Sequence, residues 1–255
     1  MRKKIFAIGM AGILFCPMVL PAAESQPPKH FMNDPGFINT DPNHVPGDWP
    51  LPDPFQAQTL YYQKLAEMAS APSAAAANRL FTLGAGEITF TAVKNESKTV
   101  LGYFRNYFGV VELKDDQPVN LQMIVDMNSL DTGVPGRNHR ILDLFFQSAK
   151  PEWGTATVTF DRFDLGGKSM KKLGDGKPHS LHASGTLGLN GVTRPISAEL
   201  TLMKQNRTWI ADSSSPLSLL ISDFGFDDRV YELMKSCNHK SIANAVEIKV
   251  KLYFR

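Results

Sequence analysis

Residues 121–146, LQMIVDMNSLDTGVPGRNHRILDLFF, contain the change of pattern that decides the fold. From Leu121 to Met127 every second residue is apolar, which is the period of a β-strand with one buried face. The turn-forming residues Asp131-Thr132-Gly133 and Pro135-Gly136 follow directly. The first part of this stretch is therefore predicted to be a strand that ends in a loop.

After the loop, the apolar residues take the spacing of a helix. Ile141-Leu142 and Phe145-Phe146 fall on one helical face, and Pro151 predicts where the helix ends. A helix this short is not stable alone in water. We therefore expect its Phe-rich face to pack against a sheet formed by the rest of the chain.

Strand-like alternation recurs from Leu80 to the last residue, and Asn190-Gly191 is a strong hairpin signal. So many antiparallel strands would leave exposed edges unless the sheet closed on itself. The sequence predicts an all-β fold, an antiparallel β-barrel of about eight strands with a short helix after the third strand. A two-sheet sandwich is the alternative. The other strands are expected at 88–92, 100–104, 155–163, 182–190, 194–204, 208–213, 217–222 and 245–254.

Residues 1–23 have the pattern of a secretory signal peptide. The cations Arg2, Lys3 and Lys4 precede an apolar run at 5–15, and Pro21-Ala22-Ala23 offers a small-residue cleavage site. The apolar run is too short to span a bilayer. We expect export to the periplasm and cleavage, with an uncleaved anchor as the alternative.

The net charge of +2 comes from the signal peptide. Residues 1–23 hold three of the 27 cations and no acid, so the mature chain has 24 cations against 25 acids. A mature chain with this nearly neutral net charge shows no excess of cations that would indicate nucleic-acid binding. Cys16 leaves with the signal peptide, so Cys237 remains alone and the mature protein is expected to have no internal disulfide.

Residues 24–79 are predicted to form an N-terminal extension before a domain at 80–255. Proline recurs in 24–57, which disfavours regular structure, yet Phe31, Phe37 and Trp49 are unusual in a solvated linker. We expect an irregular arm that lies on the barrel surface or across its mouth. A short helix is predicted at 57–68, and the Ala-rich segment 70–78 joins it to the domain.

Several blocks of the domain match, in order, the pattern of a known family. They are Phe90 with Val100, Gly102 and Phe104; Ser129 to Gly133 with Arg137 and Phe145-Phe146; Val158-Thr159-Phe160; Gly185-Thr186-Leu187 with Asn190-Gly191-Val192-Thr193-Arg194-Pro195; and Ser222-Asp223-Phe224-Gly225. On these blocks, roughly the last two thirds of the chain resembles the YceI-like family of periplasmic, lipocalin-like proteins. Two positions depart from it, because Lys94 and Arg140 stand where the family commonly has His.

The resemblance implies a barrel that binds a long apolar lipid, such as an isoprenoid quinone, a polyprenyl or a fatty chain, for storage, transport or stress protection. Burial of an alkyl chain yields roughly 0.8 kcal/mol per CH₂. No cofactor besides this lipid is expected, and contact with a membrane or membrane protein and dimerisation are left open. The same residues could instead fill a solid core. The candidate lining residues are Phe90, Phe104, Phe108, Met123, Val125, Leu142, Phe145, Phe146, Trp153, Val158, Phe160, Leu187 and Leu189.

No catalytic residue, metal site or enzyme activity is predicted. The six histidines show no metal-ligand spacing such as HExxH. Cys237-Asn238-His239 could pair a thiol with a base, but a nucleophile also needs an oxyanion site, which nothing in the sequence indicates. The alternatives are an unconventional enzyme or redox accessory that uses Cys237 and His239, and an interaction protein with a filled barrel.

Overall fold

The computed structural model describes residues 54–70, 78–83 and 86–255. The predicted signal peptide, nearly all of the irregular arm and most of the Ala-rich joint lie outside the described residues. The helix predicted at 57–68 is present as α1 (Pro54–Ser70) and is longer than expected.

The described strands form one antiparallel sheet. The described residues contain two further α-helices, α2 (Pro135–Arg140) and α3 (Asp227–Ser236), and a π-helical turn, Ile141–Phe146, continues α2. No described helix is long and apolar enough to cross a membrane. The strands are β1 (Asn78–Leu83), β2 (Gly86–Lys94), β3 (Lys98–Phe104), β4 (Tyr107–Lys114), β5 (Gln117–Asp126), β6 (Leu130–Asp131), β7 (Thr155–Asp164), β8 (Pro178–Leu189), β9 (Val192–Gln205), β10 (Thr208–Ser213), β11 (Leu217–Leu220) and β12 (Ile242–Phe254).

Pairing shows that these twelve strands correspond to eight longer ones. Strand β1 pairs with β4, where Leu83 is opposite Phe108, and β2 pairs with β3, where Ile88 is opposite Phe104. Strands β1 and β2 therefore act as one long strand beside a second long strand made of β3 and β4. In the same way, β5 pairs with β4 and β6 pairs with β3, so β5 and β6 form the third long strand. Strands β10 and β11 both pair with β12 and form another long strand. The prediction of about eight strands, with a helix after the third, is confirmed at this level.

The first and last long strands meet, so the sheet curls into a barrel. The last strand, β12, pairs with β2, and Phe81 of β1 exchanges backbone hydrogen bonds of 2.8 and 3.0 Å with Arg255, the residue that follows β12. Every long strand therefore lies beside its neighbours in sequence, as in an up-and-down barrel. This order confirms the lipocalin-like barrel and excludes the two-sheet sandwich.

The sequence did not reveal β4 because both of its faces are covered. Tyr107 points inward and is 1% exposed, while its neighbour Phe108 points outward and is 5% exposed. Helix α1 packs on this outer face, where Tyr61 joins Phe108 in a second apolar cluster with Val110 and Ile124. A strand buried on both sides has no alternation of apolar and polar residues. The Arg79 side chain fastens the end of α1 by donating to the carbonyl oxygens of Met68 and Ala69.

The two ends of the barrel differ. At one end, which we call the closed end, the loop 165–177 buries Leu165, Met170 and Leu173 in the core cluster. The Met170 N–H donates to the Asp116 carbonyl oxygen at 2.9 Å and holds this loop against the β4–β5 turn. The opposite end, which we call the helical end, carries α2, the π-helical turn and α3. The connections at the two ends therefore decide where space remains inside.

Candidate functional site

The barrel encloses a cavity of about 270 Å³. Among the described residues, its walls are built only from Ala, Val, Leu, Ile, Met and Phe side chains. The three residues that plug the closed end do not line it, so the hollow part lies toward the helical end. A guest here would find no side-chain hydrogen-bond partner in the described part of the wall, which suits a hydrocarbon chain.

Most of the predicted lining residues do face this cavity: strand alternation directs eight of them inward, and the π-helical turn places Phe145 and Phe146 there. Their role in binding a ligand stays a prediction. The ten that line the cavity are Phe90, Phe104, Met123, Val125, Phe145, Phe146, Val158, Phe160, Leu187 and Leu189.

The structure places three predicted lining residues elsewhere. Phe108 follows the inward-facing Tyr107 and therefore contacts α1 on the outside of the barrel. Leu142 is buried in the core cluster, but the π-helical turn directs its neighbour Ile141 to the cavity instead. Trp153 lies in the short turn before β7, where its ring contacts the cations of Lys150 and Arg229 at 3.8 and 4.3 Å. These positions correct the sequence-based assignment.

Sequence reasoning missed a large part of the wall. In β9 the residues Ile196, Ala198 and Leu200 all line the cavity, and β12 contributes a similar row. The alternation of apolar residues in β9 and β12 could have identified these lining residues, since inward-facing residues repeat at every second position of a strand. Leu233 of α3 also lines the cavity, but no local pattern assigns a helix residue to the inside of a barrel.

An aromatic cluster joins the helices to the barrel wall. Phe145 stacks on Phe226 with ring centroids 4.3 Å apart, and Phe146 packs edge-on against Phe145 at 4.9 Å. The ring centroids of Phe146 and Phe104 are 6.4 Å apart. Such pairs contribute about 0.5–1.5 kcal/mol each beyond the burial of their area. The cluster therefore holds the helical end in place above the cavity.

A polar cluster lies next to the cavity at the helical end and contains both positions that depart from the family pattern. The Lys94 ammonium donates to His239 Nε2 at 3.2 Å, and the Arg140 guanidinium hydrogen-bonds the Cys237 side chain. Burial, together with the neighbouring charges of Lys94 and Arg140, lowers the pKa of His239 to about 4. His239 is therefore neutral near pH 7 and accepts from Lys94.

This cluster does not activate Cys237. Burial raises the pKa of the thiol above its ordinary value, so the reactive thiolate is disfavoured near pH 7. The hydrogen bond shown for His239 goes to Lys94 rather than to the thiol. Within the described residues, no group of three or more His, Cys, Asp or Glu side chains could hold a metal ion. The arrangement suits polar contacts better than nucleophilic catalysis.

Comparison with known proteins identifies the family. A sequence model described as YceI-like domain matches residues 82–254, which run from β1 to the end of β12. The chain belongs to the YceI-like family. The YceI-like barrel is preceded here by α1, which lies outside the matched region. No curated protein matches the chain.

Solved structures share the YceI-like fold at low identity. One is a polyisoprenoid binding domain from Saccharophagus degradans, with 24% identity, a TM-score of 0.60, and coverage of 69% of this chain and 97% of that chain. Another is BcnA from Burkholderia cenocepacia, with 18% identity, a TM-score of 0.50, and coverage of 66% and 95% respectively. At these identities the two structures show the fold alone.

Arg229 of α3 fastens the helical end of the YceI-like barrel. Its Nη1 donates to the Phe145 carbonyl oxygen at 3.1 Å and to Asn190 Oδ1 at 2.8 Å, while its guanidinium lies over Trp153. We expect Arg229→Met to lower the free energy of unfolding by about 2–3 kcal/mol, because two partly buried charge-assisted hydrogen bonds are lost. Thermal unfolding measures this change.

The control for Arg229 is Arg207→Met, which removes an exposed cation from the β9–β10 turn and should leave the unfolding temperature nearly unchanged. The conservative change Arg229→Lys should restore little of the lost free energy of unfolding, because an ammonium does not reproduce the planar stacking of a guanidinium. Equal unfolding temperatures for the Met variants at positions 229 and 207 would contradict the assigned role.

Asp143 makes the stability of the YceI-like barrel depend on pH. Its carboxylate oxygens are buried without a hydrogen-bond partner among the described residues, and burial raises its pKa to about 7. Because the folded pKa lies above the unfolded value, this contribution to stability is present at low pH and is lost as pH rises through about 7. The loss begins at the unfolded pKa near 4, so Asp143→Asn should differ least from the wild type near pH 4, and its unfolding temperature should exceed that of the wild type by more near pH 8 than near pH 5.

The control for Asp143 is Asp161→Asn, which changes an exposed carboxylate on β7. Thermal unfolding from about pH 5 to pH 8 should give parallel profiles for this control and the wild type. If the Asp143→Asn profile also runs parallel to the wild type, the buried carboxylate does not titrate as described.

Proposed function

We propose that this protein binds a long apolar lipid, such as an isoprenoid quinone, a polyprenyl or a fatty chain, inside the barrel. The observation that carries the proposal is the cavity of about 270 Å³ with wholly apolar walls in a chain of the YceI-like family. Each buried CH₂ contributes roughly 0.8 kcal/mol, so a lipid chain binds well without hydrogen bonds to the wall. The similar domain from Saccharophagus degradans is described as polyisoprenoid binding, which agrees with this ligand class.

The lipid chain enters from the helical end. The closed end is packed with Leu165, Met170 and Leu173, whereas Leu220 both lines the cavity and is 44% exposed. Tyr231 of α3 is exposed at the same end. These apolar side chains suit transient contact with a membrane from which the lipid is taken or to which it is delivered.

The protein acts as a carrier or store in the periplasm. The support is the signal-peptide pattern of residues 1–23 together with a ligand class that diffuses poorly through water. A carrier needs no catalytic group, and the protonated Cys237 thiol supports a binding role over the redox alternative.

The test is to purify the mature protein from the periplasm under native conditions and to measure its intact mass before and after organic extraction. We expect a discrete mass loss that matches an isoprenoid or fatty-chain compound. Localisation is read from the same preparation, since the exported chain should lack residues 1–23. A protein that is empty, and that stays empty when offered ubiquinone, polyprenol or fatty acid, would overturn the proposal.

A further inference from the structure

Lys94 continues the apolar wall of the cavity. In β2 the residues Ile88, Phe90 and Ala92 line the cavity, and Lys94 is the next residue of the same inward row. Opposite Lys94 in β12 is Ile242, which also lines the cavity. The Lys94 amino group is therefore the first polar group that follows the apolar wall along β2, at the rim of the helical end.

The packing of the barrel decides where the head of a bound lipid lies. The closed end is filled by Leu165, Met170 and Leu173, so a chain in the cavity has its head toward the helical end. The wall offers no polar side chain among the described residues, so the head finds its first polar contact at the rim. A carbonyl group at the end of the chain would come to lie beside the Lys94 amino group.

A hydrogen bond orients the Lys94 amino group at this rim. The ammonium donates to His239 Nε2 at 3.2 Å, and His239 is neutral near pH 7. This bond uses one N–H of an ammonium that carries three. Two N–H protons can therefore leave in a reaction while the hydrogen bond to His239 remains.

The surroundings of Lys94 also favour its neutral, nucleophilic form. Burial lowers the pKa of Lys94, and nearby cations act in the same direction, above all Arg137. A lysine in apolar surroundings beside another cation is activated toward carbonyl carbon atoms. The Cys237 thiol competes poorly for the same carbon, because burial raises its pKa and disfavours the thiolate.

We propose that Lys94 captures a long-chain aldehyde as a reversible imine, with the hydrocarbon tail in the cavity. The Lys94 nitrogen forms a bond to the aldehyde carbon, and the carbonyl oxygen leaves as water with two of the N–H protons. An ammonium and an aldehyde thus give a protonated imine and water, so the charge balances without an oxidant or reductant. The remaining N–H donates to His239 Nε2 as before. This inference rests on the proposed function and adds apolar aldehydes to its ligand class.

The test traps the imine by reduction. Delipidated mature protein is mixed with hexadecanal and sodium cyanoborohydride at about pH 7, where an ordinary lysine is almost wholly protonated. Intact mass measures the addition of hexadecyl groups, and peptide mapping identifies the modified lysine. We expect Lys94 to be labelled at least about tenfold faster than Lys98, an exposed lysine opposite it in the β2–β3 hairpin, because the bound tail holds the aldehyde beside Lys94. With butanal, which is too short to fill the cavity, this preference should be lost.

Variants separate the covalent step from binding of the tail. Lys94→Arg keeps a positive charge and a donor beside His239, but its guanidinium stays protonated and forms no imine. It should abolish the fast labelling and still bind hexadecan-1-ol within about twofold of the wild-type affinity by calorimetry, because the alcohol depends on the apolar wall. The matched control is Lys98→Arg, which should keep the fast labelling of Lys94.

The outcomes distinguish this inference from the proposed function. If the wild-type protein binds hexadecan-1-ol but hexadecanal labels Lys94 no faster than Lys98, the imine is overturned and lipid binding stands. An equal preference for Lys94 with butanal overturns it as well, since the tail would then play no part. Fast labelling that persists in Lys94→Arg assigns the reaction to another group and also overturns it. If neither hexadecanal nor hexadecan-1-ol binds the wild-type protein, the proposed function fails together with the inference.

Discussion

Ala198→Phe is expected to abolish lipid binding while the barrel stays folded. Ala198 is 4% exposed, lies in the middle of β9 and lines the cavity. A phenyl ring at this position would fill much of the 270 Å³ that the lipid chain needs. Because the ring enters an existing space, we expect a change in the free energy of unfolding of no more than about 1–3 kcal/mol. Affinity for hexadecanoate should fall at least about a hundredfold.

The matched control is Ser197→Phe, which adds the same ring one residue earlier, on the exposed outer face of β9. Calorimetric titration and thermal unfolding of both variants separate loss of space from loss of fold. Unchanged hexadecanoate affinity in Ala198→Phe would show that the ligand does not occupy the cavity. A loss of affinity in Ser197→Phe as well would show a nonspecific effect.

Gly185→Ala is expected to destabilise the barrel by about 3 kcal/mol or more. A Cβ atom at Gly185 would lie 1.9 Å from the Thr159 carbonyl oxygen and 2.7 Å from the Phe160 Cα. Both contacts are with the backbone of β7, next to an irregularity in the β7–β8 register between Phe160 and Arg162. Neither can be relieved by a side-chain rotation, so the strands must separate.

Thermal unfolding measures this effect, and the unfolding temperature should fall by about 6–12 °C. The matched control is Gly174→Ala in the loop at the closed end, where the added Cβ would meet only the flexible Lys177 side chain, at 3.3 Å. We expect that variant to unfold near the wild-type temperature. If both variants unfold at the same temperature, the close approach of β7 and β8 is not the reason for glycine at position 185.

Sequence patterns assigned some residues of the site correctly and others incorrectly. Alternation assigned Met123 and Val125 correctly to the inner face, since a strand has two faces and a period of two. It failed at β4, where α1 covers the outer face and removes the contrast between Tyr107 and Phe108. The helix after the third long strand was also foreseen, but not its π-helical turn, which displaces Leu142 from the cavity.

By itself, the sequence determined most of the strands and part of the inward-facing row, because these depend on local periodicity and turn chemistry. Tertiary structure alone decided that the closed end is packed and the rest is hollow, because a cavity depends on side-chain volumes contributed by distant strands. It also brought Lys94, Arg140 and His239 to one rim, although 145 residues separate the first from the last. No local sequence pattern predicts that these three side chains lie close together. Their proximity arises only when the barrel closes and places both helical connections at the same end.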